Sequence, residues 1–295
     1  MTTAPRSVTA PIVVGLDADH PVEQVIATAA DLSLATGRPI QVLNATGIGI
    51  VPWTAEMLGR QEAKLATLRD RLHDRSGIRV EAKTIVASPS KALVDASHDA
   101  HLLVISAGQF GTVSAGLLGA TTAAHIAAHA SCPVLVVATD QPTPTGGAVV
   151  VGVDIDAHSA PAVGLAFAEA SRRSAPLVAI HAWWLDLPLG LVDAKTWERG
   201  EAEARATRAR EMSEMLAGWR EEYPDVDVHE VFTRDAPVAA LCTAAADAQL
   251  LVVGTRGHGG FAGLLLGSVS TRLIHQSPCP LLVVPSLRLQ EEATA

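Results

Sequence analysis

The chain has 295 residues, of which 48% are hydrophobic and 18% charged, enough for two domains of ordinary size with buried cores. Its net charge of −9 argues against a general affinity for nucleic acid or anionic membranes. No apolar run nears the ~20 residues that span a bilayer, Asp17 interrupts the N-terminus before signal-peptide length, and Cys132, Cys242 and Cys279 form no CxxC pair, so a reducing cytoplasm is the expected compartment.

Residues 12–17, IVVGLD, make the first apolar run and end on an acid. A second run at 102–106 leads through Ser106 to Gly108, with Gly119, Ala120 and Thr121 beyond it, and CPVLVV at 132–137 closes the segment. Residues 139–147 carry Pro, Thr and Gly without apolar periodicity and read as a linker. The series then restarts. VVVGVD at 149–154 repeats 12–17 at an offset of 137, and CPLLVV at 279–284 repeats 132–137 at an offset of 147. We read a tandem duplication, with domains at 1–138 and 148–295 and a middle ten residues longer in the second copy.

In the second copy, strands are predicted at 148–154, 176–183, 226–232, 249–254 and 280–285. Helices are predicted near 157–174, 193–222, 236–247 and 268–276. Strands apolar on both faces, alternating with helices, specify a parallel sheet covered on both sides. Each copy is therefore expected to be a doubly wound, Rossmann-like α/β domain with a five-stranded parallel sheet. The helix containing Trp197 and Trp219 is rich in Glu and Arg and should face water over most of its surface.

In such a sheet a ligand sits beyond the carboxyl ends of the strands, where strand order reverses. Asp154 follows the first strand of the second copy and Gly254 ends the fourth. Gly254, Gly257, Gly259 and Gly260 allow close approach of backbone N–H groups to oxygens, and Ser268 stands where a helix begins. Arg256 and His258 supply the nearby positive charge, and no Asp or Glu occurs between residues 249 and 290. This is chemistry suited to phosphates. The plainer readings are a glycine turn, Asp154 or Ser268 as helix caps, His258 as an exposed loop residue, and Cys132 and Cys279 as small buried hydrophobes. Trp183, Trp184, Trp197 and Trp219 read as packing residues.

Other motifs fail on context. Residues 257–262 match G-x-G-x-x-A, but they follow a fourth strand and no acid lies about 20 positions on to hold a ribose. There is no P-loop, no G-x-S-x-G elbow, and no His/Cys/Asp set with metal-ligand spacing.

Gly254-x2-Gly257-x9-Gly267-Ser268, flanked by VGVD at 151–154 and CPLLVV at 279–284, resembles the universal stress protein family in its ATP-binding form. The resemblance implies ATP, with or without Mg, as the ligand, and a nucleotide-dependent regulator or sensor rather than an efficient enzyme. A slow ATPase or nucleotide-transfer activity in the same pocket is the alternative. It further implies that Gly152, Val153 and Asp154 meet adenosine, that the backbone of Ala182 meets the adenine edge, and that Gly254, Thr255, Arg256, Gly257, His258, Gly259 and Gly260 lie along ribose and phosphates. Gly267, Ser268, Val269 and Ser270 would hold phosphate oxygens. The first copy keeps Gly15 and Asp17, but Ser106 replaces the strand-end glycine and Ala120 the serine, which argues against ATP there. The resemblance also implies an intramolecular pseudo-dimer paired through the last strands, with homodimers of whole chains as a further expectation.

Overall fold

The computed structural model describes residues 9–47, 53–107, 122–138, 146–155, 159–183, 194–256 and 265–286. These fall into two compact units, the first ending at residue 138 and the second starting at 146. The first unit runs β1 (Ile12–Leu16), α1 (Glu23–Thr36), β2 (Ile40–Ala45), α2 (Ala55–Ser76), β3 (Val80–Ile85), α3 (Pro89–Ala96), β4 (Leu102–Ser106), α4 (Thr122–His129) and β5 (Val134–Val137). The second repeats the order with β6 (Val149–Gly152), α5 (Ala160–Arg173), β7 (Leu177–Ala182), α6 (Ala194–Glu222), β8 (Val228–Thr233), α7 (Pro237–Ala244), β9 (Leu250–Gly254), α8 (Ser268–Gln276) and β10 (Leu281–Val284).

Each unit holds a parallel sheet, ordered β3-β2-β1-β4-β5 in the first and β8-β7-β6-β9-β10 in the second. The chain leaves β6 for β7 on one side and returns past it to β9 on the other, so strand order reverses between β6 and β9. Right-handed crossovers put α5 and α6 on one face and α7 and α8 on the other. The expected Rossmann-like fold is the observed one in both units.

Strands β1, β5 and β10 are buried along their whole length and show no exposed position. Such runs of Val, Leu and Ile follow from helices covering both faces. Two edge strands differ from the expectation of two apolar faces. β3 and β8 alternate half-buried with exposed residues, because one side of an edge strand looks into water. On β8 the half-buried Glu230 takes a salt bridge from Arg220 of α6 at 2.8 Å.

The long helix α6 buries Met212 and Leu216 fully and leaves most other described side chains exposed, as its charge pattern requires. Trp219, near its end, stacks on Phe167 of α5 with centroids 6.4 Å apart. Gly164 makes that approach possible, since a Cβ there would collide with the indole. Helices α1 and α2 stop at Gly37 and Gly77, whose φ of +69° and +67° belongs to the left-handed region. Cys132 and Cys279 are buried, Cys242 is partly so, and all three are free thiols. Burial pushes the Cys279 thiol up to about 11.

Candidate functional site

The carboxyl ends of β6, β7 and β9 and the start of α8 enclose a cavity of about 460 Å³ in the second unit. It lies at the reversal of strand order, where side chains from different strands converge on one opening. Gly152, Val153 and Asp154 line it from β6, His181, Ala182 and Trp183 from β7, and Gly254 and Arg256 from β9. Gly267, Ser268, Val269 and Ser270 complete it.

At one end, β7 outruns β6. The Val153 amide donates to Ile180 at 2.8 Å and Trp183 donates to Thr233 at 3.0 Å, so alternate residues of β7 face β6 and β8. Ala182 therefore turns its N–H and C=O toward the side on which β6 has already ended. Among the described residues no residue of β6 pairs with that donor and acceptor. His181 beside it is buried, and its ring nitrogen Nδ1 lies 2.8 Å from the Val153 carbonyl. A carbonyl only accepts, so Nδ1 carries the proton and Nε2 is a buried acceptor without a partner. Burial holds the His181 pKa below its ordinary value, against the opposing effect of the Val153 carbonyl.

At the other end, α8 begins. Gly267 is its N-cap and no side chain caps it, so Ser268 is the first helical residue rather than the cap. The amides of Ser268, Val269 and Ser270 have no carbonyl one turn back, which makes the helix start an anion site by geometry and by dipole. Arg256 lines the same end, with its Nε buried and unpartnered.

Two hydroxyls of the motif are structural braces. Thr255 is fully buried, and its Oγ1 accepts from the Ser286 amide at 3.2 Å. Its carbonyl accepts from the Gly267 amide at 2.7 Å, joining the two ends of the loop, and Thr255 does not line the cavity. Ser270 is 4% exposed and donates to the Gly254 carbonyl at 2.7 Å, so its hydroxyl fastens α8 to β9. Gly257, His258, Gly259 and Gly260 lie outside the described residues, as do Gly108, Gly119, Ala120, Thr121 and Trp184.

Gly152 has a packing reason to be glycine. A Cβ there would stand 3.2 Å and 3.3 Å from the methyls of Leu241 on α7. Asp154 does not cap α5: Ser159 holds that place and accepts from the Asp154 amide at 3.0 Å. Trp183 is buried, as a packing residue should be, yet it also walls the cavity, with the guanidinium of Arg208 6.0 Å from its ring centre. Sequence reasoning missed Arg208. It sits among many charged residues of a long polar helix, where nothing in the spacing marks it out.

The first unit fills the matching place differently. Asp17 lies 3.2 Å from His20 Nδ1 and accepts from the Asp19 amide at 2.8 Å. Asn44, next to last in β2 as His181 is in β7, accepts from the Ala18 amide and donates to Gln61 at 3.1 Å. Gln61 donates to Asp19 at 2.9 Å, and Lys64 also donates to Asp19. Lys64, with Gln61, holds the Asp19 carboxyl below its ordinary range. Gly15 is again a packing glycine, with a hypothetical Cβ only 2.7 Å from a methyl of Leu93.

A profile of the Universal stress protein family matches residues 9–138 and 147–285. A universal stress protein of Mycolicibacterium smegmatis is 34% identical over 292 residues, covering 92% of this chain and 96% of that one. One from Mycobacterium tuberculosis H37Rv is 38% identical over 208 residues, 69% of this chain and 68% of its own. Among solved structures, a universal stress protein of Archaeoglobus fulgidus superposes with a TM-score of 0.65 at 18% identity, covering 92% of this chain and 98% of that one. That last likeness concerns the fold.

Proposed function

Because the chain belongs to the universal stress protein family, with one family domain in each half, we propose that its second unit binds ATP and acts through occupancy. The observation that carries this reading is the uncapped start of α8, whose amides open into the same cavity as Arg256. Free N–H groups at a helix start and a guanidinium whose buried Nε lacks a partner among the described residues together suit a phosphate chain. The unpaired backbone edge of Ala182, at the opposite end, suits a base that offers one donor and one acceptor, as adenine does. Asp154, between these ends and nearer the nucleoside side, suits the ribose hydroxyls, which donate to a carboxylate.

Turnover is a different demand. It needs a positioned water and stabilisation of charge developing on the γ-phosphate. Asp154 is the only carboxylate among the described residues lining the cavity. Mg²⁺ is commonly held by one or two carboxylates together with substrate phosphates. A single acid at the nucleoside end does not make a protein-built metal site, so Mg²⁺ would be carried by the triphosphate itself. The reading is a regulator whose signal is the presence of nucleotide.

Mass spectrometry of ligand released from denatured protein, followed by ATP titration of the emptied chain, tests it. Loss of a hydrogen bond to a charged group costs about 1.5–3 kcal/mol, so Asp154→Ala should weaken ATP at least tenfold while Asp17→Ala leaves it unchanged. Equal losses from both substitutions would refute the assignment to the second unit. Several turnovers per minute in contaminant-free protein would replace the regulator with an ATPase.

A further inference from the structure

Arg208 is the feature of the second unit that the reading above leaves unused. It rises from the middle of α6, far in sequence from the glycine motif, yet lines the cavity at the end formed by β7. Its surroundings differ from those of four other arginines of this protein. Arg71, Arg172, Arg173 and Arg220 all make salt bridges to carboxylates. Arg208 makes no ion pair among the described residues, although Glu211 lies one turn along the same helix. Instead its guanidinium stands over Trp183, the residue after Ala182, and its charge bears on His181.

The first unit supplies a contrast. There the helix side chain that reaches the next-to-last residue of the second strand is Gln61 of α2, which is buried and bonded on both sides, to Asn44 and to Asp19. In the second unit Arg208 of α6 stands 6.0 Å from the ring centre of Trp183, and among the described residues no hydrogen bond joins it to His181. The Nδ1 proton of His181 is committed to Val153 and its Nε2 has no partner. One unit closes this corner with its own amides. The other leaves five N–H donors beside an unpaired backbone edge.

We propose that Arg208 is a side-chain contact for the nucleoside half of the bound nucleotide. Trp183 holds the guanidinium at the end of the cavity where Ala182 presents its N–H and C=O. From there its donors meet acceptor atoms of the base and sugar that a single backbone residue does not reach. A guanidinium suits this task because it keeps a flat face for the indole while its edge carries the donors. The two arginines then divide the ligand, Arg208 at the nucleoside and Arg256 at the phosphates. This assignment rests on nucleotide binding by the second unit.

Calorimetric titration of the full chain with ATP, adenosine and inorganic tripolyphosphate separates the roles. Arg208→Gln and Arg208→Met should each weaken adenosine and ATP by the same factor, about tenfold, and leave tripolyphosphate unchanged. Arg256→Gln should weaken ATP and tripolyphosphate and leave adenosine unchanged. Both Arg208 variants break no salt bridge within the described residues, at a half-buried position of α6, so both should keep the wild-type circular dichroism melt. Unchanged adenosine affinity in the two folded Arg208 variants would overturn the proposal, as would a loss confined to ATP and tripolyphosphate. A wild-type chain that binds neither ATP nor adenosine would refute the nucleotide reading itself, and this assignment with it.

Discussion

At the ends of β2 and β7 the two units place different side chains on one frame. The first has Asn44, Gln61, Asp19 and Lys64 in a chain of hydrogen bonds that satisfies its own members. The second has His181, Arg208 and Asp154 around a cavity, with Nε2 of His181 and Nε of Arg256 left unpartnered. Strand order, register and helix placement are the same in both, so the two corners differ through a few positions at the strand ends. Buried polar groups generally find partners, and a unit that supplies them from its own chain has no need of a ligand to do so.

The sharpest way to break the comparison is Asn44→Ala. It strips a partner from both the Ala18 amide and Gln61, and orphaned buried groups cost about 1–3 kcal/mol each. Urea unfolding should show the first unit weakened by about 2–3 kcal/mol, while ATP titration of the same variant gives the wild-type affinity. A fall in affinity would mean that the first unit takes part in binding.

Next in size are the paired glycines. Gly15→Ala puts a methyl 2.7 Å from Leu93, whereas Gly152→Ala meets Leu241 at 3.2 Å. Overpacking costs about 1–3 kcal/mol, and the tighter site should lie at the top of that range and the looser one at the bottom. Thermal melts of the two variants check the order, and a larger loss from Gly152→Ala would reverse this account of the packing.

The smallest effect concerns acid. Burial lowers the His181 pKa in the folded chain, so between that value and the ordinary 6.5 the unfolded chain binds more protons. The stability His181 contributes is therefore complete above pH 6.5 and declines as pH falls toward the folded value, by at most about 1.4 kcal/mol per pH unit. Asn44 does not titrate. His125 in the first unit is shifted the same way, through burial and its neighbour His129. His181→Asn should flatten the acid limb of the second unit's stability and leave that of the first. An unaltered limb would show that protonation of His181 is not resisted by the fold.

Much of this architecture could be read from residues alone, for a physical reason. Helix-covered parallel strands must be apolar throughout, and VVVGVD and LLVVG announce themselves as such. The glycine and serine spacing around 254–270 pointed to the cavity wall because Gly254, Gly267 and Ser268 fall at the end of β9 and the start of α8, where strand and helix ends meet. What spacing could not decide was the direction of a side chain. Thr255 and Ser270 carry the hydroxyls expected of a phosphate site, but they turn inward to Ser286 and Gly254. Gly15 and Gly152 look like ligand glycines and also make room for leucines from α3 and α7. Arg208 was invisible because its place depends on how α6 lies on β7, which is a tertiary fact.

The cysteines bear on what kind of signal this molecule can carry. An oxidant attacks thiolate, and attack requires access. Cys132 is 0% exposed, Cys279 is 3% exposed, and burial raises the pKa of both Cys242 and Cys279, the latter to about 11. At neutral pH peroxide therefore meets protonated sulfur at Cys242 and Cys279, and at Cys132 and Cys279 sulfur that burial shields from it. Such thiols are insulated from redox chemistry instead of being detectors of it.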